Sequence, residues 1–237
     1  MKAVILAGGH GTRLRPYTFV VPKPLLPVGD KPVLQIIVEH LGSHGIHEIV
    51  VATGYLGELI KSYFKDGSAY GAQISYLDET KPLGTAGPLA MLRERLSPGE
   101  PFVVMNGDIL TKLDFTRVIH HHSPDRTDLS IGVKRLEQQS PYGVLRIEDG
   151  RLLEVREKPI SVEYINAGIY LVNERVLQEI PEDTYYTMPD LVNMRLEQGR
   201  PVDVFTVDEP WLALEGPQHL EEANREPEHW TTPGERP

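Results

Sequence analysis

Short apolar runs alternate with segments of helical periodicity along the first half of the chain. Apolar runs bounded by glycine or polar residues are typical of buried strands, and apolar residues three and four apart indicate one face of a helix. The patterns predict strands at 3–7, 48–53, 73–76 and 102–105, and helices at 32–41, 55–64 and 87–96. Such alternation favours a parallel sheet with right-handed crossovers. The predicted fold class is therefore α/β, a mostly parallel mixed sheet flanked by helices in a Rossmann-like arrangement.

The pattern changes after residue 108, where predicted strands follow one another more closely. Strands are predicted at 129–133, 142–147, 152–157, 165–172 and 202–207, and helices at 176–180, 188–198 and 216–224. Glu148-Asp149-Gly150 is a good hairpin turn between two of these strands. We expect a single domain over 1–224 with halves at 1–112 and 113–224. The polar tail at 225–237 offers only Trp230 as a large apolar anchor, so we expect it to be disordered or loosely packed.

The most informative stretch is the first strand and the loop that follows it, over residues 1–27. The apolar run ends in three glycines and is followed by three cations: Gly8, Gly9, Gly11, Arg13, Arg15 and Lys23. Glycines let backbone N–H groups approach a ligand closely and can form an anion-binding concavity. Cations just beyond suit a polyphosphate. The pattern therefore indicates a nucleoside triphosphate at the C-terminal end of a buried strand, where open α/β sheets bind ligands.

Two other glycine-rich loops fit this stretch less well. The P-loop string G-x-x-x-x-G-K-[ST] is not supplied by residues 8–14. The dinucleotide fingerprint begins at Gly9 and Gly11 but has Leu14 in place of its third glycine, which disfavours a nicotinamide-dependent oxidoreductase. On glycine count alone, an ordinary strand-to-helix turn with surface arginines stays open.

Composition narrows the class of partner. The 237 residues are 40% hydrophobic and 24% charged, which is ordinary for a globular protein. The formal net charge of −10 argues against a nucleic acid partner, and it requires a phosphate site to concentrate cations locally. No apolar run reaches the length of a membrane helix, so no membrane partner is expected. The lack of cysteine excludes disulfides and thiolate metal sites and fits a cytoplasmic protein.

The whole opening string is more specific than its glycines. L-A-G-G-x-G-T-R-L-x-P followed by P-K-P-L-L-P, ungapped from Leu6 to Pro27, closely resembles the signature of the sugar-1-phosphate nucleotidyltransferases. The resemblance implies that family's nucleotidyltransferase fold and the transfer of a nucleotidyl group from an NTP to a sugar 1-phosphate, with release of pyrophosphate. It implies that residues 1–112 bind the nucleotide and residues 113–224 the sugar phosphate. Arg13 would hold the departing pyrophosphate, and Lys23 the α-phosphate and the sugar phosphate.

A second predicted strand ends in Asn106-Gly107-Asp108. The Asp108 carboxylate would lie at the strand's C-terminal edge, beside the glycine loop if the two strands are neighbours. A carboxylate near a triphosphate is the usual way to hold Mg²⁺, which keeps several of its waters. In isolation, a turn aspartate that bonds its own backbone explains the residue better. The resemblance favours the metal, because the family places its metal-binding Asp in this context, so Mg²⁺ is the expected cofactor and Asp108 its ligand.

A third glycine-containing loop, P-L-G-T-A-G-P-L, follows Glu79. Small residues there permit close approach of a base or a sugar, although a tight loop with Thr85 as a helix N-cap explains them equally well. The string resembles the mannose-1-phosphate guanylyltransferases most, and the Glu79 carboxylate can accept from the N–H donors of guanine, which favours GTP. The resemblance places the nucleotide against Leu6, Ala7, Gly8, Gly9, Gly11, Thr12, Arg13, Glu79, Gly84, Thr85, Asn106 and Gly107.

Three short strings in the second half are ordinary individually but match the family in order. These are Y-G-V at 142–144, E-K-P at 157–159 and N-A-G at 166–168. In the family, the Glu accepts sugar hydroxyls, the Lys binds the phosphate and glycine leaves room for the ring. The resemblance places the sugar phosphate against Lys23, Tyr142, Gly143, Glu157, Lys158, Asn166 and Gly168.

The chain departs from the family near its end. The family pattern W-x-D-[IV]-G-x-P supplies a second metal-binding Asp, but here Ala213 stands at the Asp position and Glu215 at the Gly position. The carboxylates that could substitute are Asp208, Glu209 and Glu215. A catalytically impaired regulatory or sugar-nucleotide-binding relative therefore stays open as the alternative. The identity of the NTP and of the sugar phosphate, and a possible homo-oligomer, also stay open.

Three consecutive histidines, His120-His121-His122, invite a metal interpretation. Consecutive residues on a helix point about 100° apart, so these side chains cannot converge on one ion. We expect a solvated helix end.

Overall fold

The computed structural model of the protein describes residues 1–96, 99–122 and 126–231. Within these residues the strands, in chain order, are β1 Lys2–Ala7, β2 Pro27–Val28, β3 Lys31–Pro32, β4 Glu48–Thr53, β5 Gln73–Asp78, β6 Pro101–Asn106, β7 Ile109–Thr111, β8 Leu129–Gln139, β9 Val144–Glu148, β10 Arg151–Arg156, β11 Ile160–Asn173, β12 Asp203–Thr206 and β13 Trp211–Ala213. The α-helices are α1 Val33–Ser43, α2 Gly57–Phe64, α3 Phe115–His121, α4 Met188–Glu197 and α5 Pro217–Arg225.

Seven strands form the central sheet in the order β12-β8-β11-β6-β1-β4-β5. Strands β6, β1, β4 and β5 are parallel, whereas β11 runs antiparallel to both of its neighbours, β6 and β8. The edge strand β12 is parallel to β8. Helices flank the sheet, and the predicted fold class is confirmed.

The central strands are buried on both faces, which explains their continuous apolar runs. In β1, Ala3 and Ile5 belong to one apolar cluster with Leu34 of α1. Val4 belongs to the cluster on the opposite face of the sheet, together with Leu191 of α4. Because side chains alternate along a strand, one short run supplies both cores.

Several element predictions need correction. The helix predicted at 87–96 is a 3₁₀ helix at Gly87–Leu92, and the one predicted at 176–180 is a 3₁₀ helix at Glu174–Glu179. Both are short, and Pro88 supplies no backbone N–H to the first turn. The strands predicted at 129–133 and 165–172 are longer, because β8 and β11 pair with each other out to Gln139 and Ile160. The small β7–β13 pair was not predicted.

The expectation of a loosely packed tail is wrong for residues 226–231, and residues 232–237 lie outside the described residues. The Trp230 side chain is only 8% exposed. The Lys112 ammonium donates to the backbone carbonyls of Trp230 and Thr231, both at 3.1 Å. Burial lowers the pKa of Lys112. One apolar anchor and one partly buried donor together hold this segment against the domain.

The solvated helix end expected at 120–122 is wrong for His122. Helix α3 ends at His121, and the His122 side chain is half-buried with its Nδ1 2.8 Å from the Ser130 hydroxyl. Burial lowers the pKa of His122. Within the described part of the chain, no helix is both long and apolar enough to cross a membrane.

The buried His40 on α1 predicts a pH-dependent stability. Burial lowers its pKa to about 4 from 6.5, outweighing the opposing bond between Nε2 and the Leu113 carbonyl at 3.0 Å. The unfolded chain therefore binds a proton between pH 6.5 and 4 that the folded chain does not. The contribution of His40 to the free energy of unfolding is fully present above pH 6.5. It falls by about 3 kcal/mol as the pH drops to 4.

The free energy of unfolding, measured in urea at several pH values across this window, should depend less steeply on pH in His40→Gln than in the unmodified chain. His47→Gln is the matched control, since His47 is exposed and also lies near a backbone carbonyl, that of Gly71 at 3.0 Å. Equal slopes in the unmodified chain and His40→Gln would contradict the assignment.

Candidate active site

The C-terminal ends of neighbouring parallel strands form the candidate site. β1 lies between β6 and β4, with Leu6 opposite both Asn106 and Ala52. The loop after β1 and the Asn106-Gly107-Asp108 turn after β6 therefore leave the sheet side by side, as the sequence prediction required. They line a cavity of about 310 Å³ together with Glu79, Gly84 and Thr85.

The signature loop is fixed by one buried residue and one left-handed glycine. Gly11 has φ +59°, and a Cβ there would come within 2.8 Å of the Thr18 methyl group. The Thr18 hydroxyl, itself buried, donates to the Gly11 carbonyl at 2.8 Å. Thr12 opens a short 3₁₀ turn whose Leu14 is fully buried, whereas Arg13 on the same turn is exposed. The loop backbone is therefore held rigidly while its cation faces outward.

The two residues that the sequence assigns to phosphate and metal are in contact. The Lys23 ammonium forms an ion pair with the Asp108 carboxylate, and both side chains are mostly shielded from solvent. Lys23 begins a 3₁₀ turn at Lys23–Leu25, and Asp108 directly follows the Gly107 turn. The two residues are 85 positions apart in the chain, and the fold brings their opposite charges together. This edge of the sheet is therefore a charged site.

A second ion pair joins the signature loop to the C-terminal segment. The Arg13 guanidinium lies 2.5 Å from the Glu215 carboxylate. β13 pairs antiparallel with β7, Ala213 lies opposite Ile109, and the Leu214 N–H donates to the Asp108 carbonyl at 2.9 Å. The segment 213–215 therefore runs directly beside Asp108.

Glu79 closes the cavity on the side of β5. Its N–H donates to the Thr53 carbonyl at 2.8 Å, and one carboxylate oxygen accepts from the Leu83 N–H at 3.2 Å. The other oxygen lies against Gly8, where any Cβ would clash with it. Burial raises the pKa of Glu79, and the bond from Leu83 opposes that shift. Gly8 is thus required for this close approach.

The Gly84 loop is tied to the segment that precedes α4. Gly84 has φ +79°, and a Cβ there would lie 2.6 Å from the Tyr186 carbonyl. That carbonyl accepts the N–H groups of both Ala86 and Gly87 at 2.9 Å. The Thr85 hydroxyl accepts from the Met188 N–H at 2.8 Å, at the first residue of α4 rather than in its own helix. The loop is therefore held by tertiary contacts.

Asn166 and Gly168 lie at the same edge of the sheet as Asn106. The pairing of β11 with β8 is irregular between Asn166 and Tyr170. Gly168 has φ +67°, and a Cβ there would come within 2.6 Å of the Asn106 amide nitrogen. Asn166 accepts from the Gly168 N–H at 2.8 Å, and the Trp211 indole N–H donates to the Ala167 carbonyl at 2.9 Å. The N-A-G string is a locally fixed irregularity packed against Asn106 at the end of β6.

The structure does not bring Tyr142, Gly143, Glu157 and Lys158 to this edge. β8 and β11 continue outward from the Asn166–Val133 pair to the Ile160–Gln139 pair. Six extended residues span roughly 20 Å. The four residues lie beyond that point, all exposed, where the ladder meets the β9–β10 hairpin. Most of the residues between Lys158 and Asn166 belong to the extended strand β11, which separates the two side chains. The role of these four residues stays a prediction.

The cavity also has lining residues that the sequence analysis did not single out. They are His10, Pro82 and Tyr185. The His10 ring lies 4.7 Å from the Tyr55 ring, centroid to centroid. His10 lies inside the glycine string, so the sequence contained a signal for its position. Tyr185 adjoins Tyr186, which contacts the Gly84 loop, and no local pattern marks it.

Metal ligands are sparse at this site. Among the described residues, no group of three or more histidine, cysteine, aspartate or glutamate side chains is arranged to hold an ion. Asp108 contributes one carboxylate, and Ala213 contributes none.

Comparisons with known proteins match most of the chain. A family model described as Nucleotidyl transferase matches residues 2–228. The mannose-1-phosphate guanylyltransferase catalytic subunit beta of Dictyostelium discoideum is 41% identical over 185 residues, covering 76% of this chain and 52% of the relative. The UTP–glucose-1-phosphate uridylyltransferase of Synechocystis is 37% identical over 234 residues, covering 90% of this chain and 60% of the relative. The chain thus spans about half the length of the curated relatives it matches.

A similar solved structure covers the whole chain. It is the crystal structure, in complex with sucrose, of a candidate glucose-1-phosphate thymidylyltransferase from Bacillus anthracis. The two chains are 26% identical and superpose with a TM-score of 0.78, over 99% of this chain and 98% of the other. The relatives named here carry three different nucleobases in their names, so the comparisons agree on the family and differ on the base.

Proposed function

Because the chain belongs to the nucleotidyl transferase family, we propose that it transfers a nucleotidyl group from an NTP to a sugar 1-phosphate, giving an NDP-sugar and pyrophosphate. The observation that carries the proposal is the shared edge of β1 and β6, which places the glycine loop beside the Lys23–Asp108 pair. GTP and a mannose 1-phosphate-like sugar are the favoured substrates. The guanylyltransferase relatives at about 40% identity support that choice.

The chemistry needs positioning and charge more than proton transfer. A sugar phosphate is largely dianionic at neutral pH, since its second pKa is about 6, so its oxygen can attack the α-phosphorus without a general base. The barrier is then lowered by in-line alignment and by cations at the developing charges. In this proposal Lys23 binds the α-phosphate and the incoming phosphate, and Arg13 binds the departing pyrophosphate.

A single protein carboxylate suits Mg²⁺ at this site. Mg²⁺ keeps several waters and is usually held by one or two carboxylates together with substrate phosphates. The Asp108 carboxylate is partly exposed beside the glycine loop, so it can take this role. When bound, the ion would neutralise phosphate charge. Lys23, which pairs with Asp108, would then be free to turn to the phosphates.

The position of Ala213 agrees with a lost second ligand. Its strand lies directly beside Asp108, so an aspartate there could share the ion. Of the nearby carboxylates, Glu209 pairs with Arg117 at 2.7 Å and Asp208 lies by Thr206. Glu215 is the one paired with the signature loop. The relatives named above are enzymes by name, and none supports the impaired alternative.

The base is proposed to lie against Glu79. Its carboxylate is a partly buried acceptor at the wall of the cavity that Gly8 and Gly84 also line. Guanine presents two N–H donors on its Watson–Crick edge, which one carboxylate can accept.

Lys23→Ala should lower turnover by orders of magnitude without unfolding the protein, because the ammonium acts on reacting phosphate charge. Turnover is measured as pyrophosphate release in the presence of Mg²⁺, with each of the common NTPs and several sugar 1-phosphates. Lys31→Ala is the matched control, since Lys31 forms a comparable ion pair with Glu39 at 2.7 Å on α1. Near-normal turnover in Lys23→Ala would remove Lys23 from the mechanism.

Ala213→Asp should lower the Mg²⁺ concentration needed for half-maximal turnover, because it adds a carboxylate beside Asp108. The measurement is the same pyrophosphate assay, titrated with Mg²⁺. Turnover by the unmodified chain would establish the enzyme and show that an Asp at 213 is dispensable. Activity confined to Ala213→Asp would reveal a working site that lacks a metal ligand, and silence in both variants would contradict the proposal.

Glu79→Gln should reduce kcat/KM for GTP about 10- to 100-fold relative to other NTPs. A hydrogen bond to a charged group is worth about 1.5–3 kcal/mol, and each 1.4 kcal/mol is tenfold. Glu58→Gln, an exposed change on α2, is the control. An unmodified chain that prefers a pyrimidine nucleotide, or an unchanged preference in Glu79→Gln, would reject the assignment of Glu79 to guanine.

A further inference from the structure

The Arg13–Glu215 ion pair joins two segments whose backbones are each held by buried contacts. Arg13 directly precedes Leu14, whose side chain is fully buried. Glu215 directly follows Leu214, which is also fully buried and whose N–H donates to the Asp108 carbonyl at 2.9 Å. Both backbones are therefore anchored, and the pair opens through rotation of the two side chains.

The ion pair directs the Arg13 guanidinium towards the C-terminal segment. The signature loop lines the cavity with Gly8, Gly9 and His10, whereas the guanidinium of Arg13 has its Nη1 2.5 Å from a Glu215 carboxylate oxygen. The two side chains are 72% and 57% exposed, so a dissolved anion can reach the pair. A guanidinium binds carboxylates and phosphates through the same fork of N–H donors. The two kinds of anion therefore compete for Arg13.

The charges around the pair make this competition important for a polyphosphate. At this edge of the sheet two cations, Arg13 and Lys23, contact two carboxylates, Glu215 and Asp108. The Glu79 carboxyl group also lines the cavity, so these side chains give no excess of positive charge. A triphosphate gains the full attraction of either cation only when that cation leaves its carboxylate. In the proposed function the metal takes up Asp108 and makes Lys23 available, whereas Arg13 still has Glu215 as its partner.

We infer that the Glu215 carboxylate competes with the terminal phosphates of the NTP, and with pyrophosphate, for the Arg13 guanidinium. The inference rests on the proposed function, since it takes the triphosphate as the ligand of Arg13. Glu215 acts through Arg13 and not on the reacting atoms, so it is a positioning residue. Its carboxylate weakens the binding of the NTP and takes the guanidinium back as pyrophosphate leaves.

Binding of inorganic tripolyphosphate to the full chain tests the inference, because this probe carries three linked phosphates without a base or a sugar. Isothermal titration in EDTA removes any effect of a metal. Glu215→Gln should bind the probe about 3- to 10-fold more tightly than the unmodified chain, the scale expected when one exposed ion pair and one like charge are removed. The gain should shrink in about 1 M NaCl, where the Debye length is about 3 Å.

Two further variants assign the gain to the ion pair. Glu154→Gln is the matched control, since it removes the same charge from another exposed pair, with Arg156 at 3.0 Å on β10, and it should leave binding unchanged. Arg13→Ala should bind the probe more weakly, and adding Glu215→Gln to Arg13→Ala should recover little affinity. Equal gains with and without Arg13 would show that Glu215 acts on the phosphates directly, and would overturn the inference.

The direction of the change separates competition from other roles of Glu215. If Glu215 instead orients Arg13 towards the phosphates, Glu215→Gln binds the probe more weakly. If its carboxylate is a metal ligand, Glu215→Gln raises the Mg²⁺ concentration needed for half-maximal turnover. Either result, equal binding by the two chains, or no binding by either chain would reject the competition.

Assays of NDP-sugar formation separate this inference from the proposed function. Glu215→Gln should lower the KM for the NTP and strengthen inhibition by added pyrophosphate by similar factors. Tighter probe binding by Glu215→Gln without turnover in any variant would refute the transfer reaction and leave the competition for Arg13 standing. Turnover with unchanged probe binding would do the reverse.

Discussion

The parallel pairing of β1 with β6 is the constraint on which the candidate site depends. It places the ends of two distant segments side by side, and the Gly107 N–H extends the ladder by donating to the Leu6 carbonyl at 2.8 Å. A Cβ at Gly107 would lie 2.9 Å from that same carbonyl, so the turn to Asp108 can be made this tightly only with glycine. If this pairing were shifted by one residue, Lys23 and Asp108 would no longer meet.

Charge balance explains why the cations of the site are paired with carboxylates. A chain with a net charge of −10 repels phosphates overall, so the local charge at a phosphate site must be positive although the rest of the chain is acidic. Lys23 and Arg13 each contact one carboxylate, Asp108 and Glu215. The Arg13–Glu215 pair is largely exposed, and such pairs contribute little to stability. Its consequence is therefore electrostatic rather than structural, because it sets the charge that a phosphate would meet at the loop.

Sequence patterns predicted the parts of the fold that depend on local burial. The run 3–7 is apolar because both faces of β1 are covered, and the same logic located β4 and β6. The patterns missed features that depend on distant partners. Trp230 is anchored by Lys112, and Thr85 bonds to Met188 more than 100 residues away. At the site, the signature string predicted the glycine loop and the strand end at Asn106-Gly107-Asp108 predicted Asp108, whereas Tyr185 had no local signal. The roles of all these residues, the division into two halves and the cytoplasmic location stay predictions.

The three strings of the second half match the family in order, but the structure places only one of them, N-A-G, at the edge of the sheet with Asn106. Asn166 and Gly168 are fixed by contacts with Tyr170, Asn106 and Ile109, so their position follows from the body of the sheet. Glu157 and Lys158 are instead joined to that body only through the exposed outer ladder of β8 and β11.

Two strands without a covering layer bend and twist easily, so the body alone does not determine where these two side chains lie relative to Asp108. Both side chains lie beyond the Ile160–Gln139 pair, so their distance from Asp108 is set by the path of the extended ladder and not by contacts with the central sheet. A sequence match determines the order of these residues along the chain, but it does not determine the path of the strands that carry them.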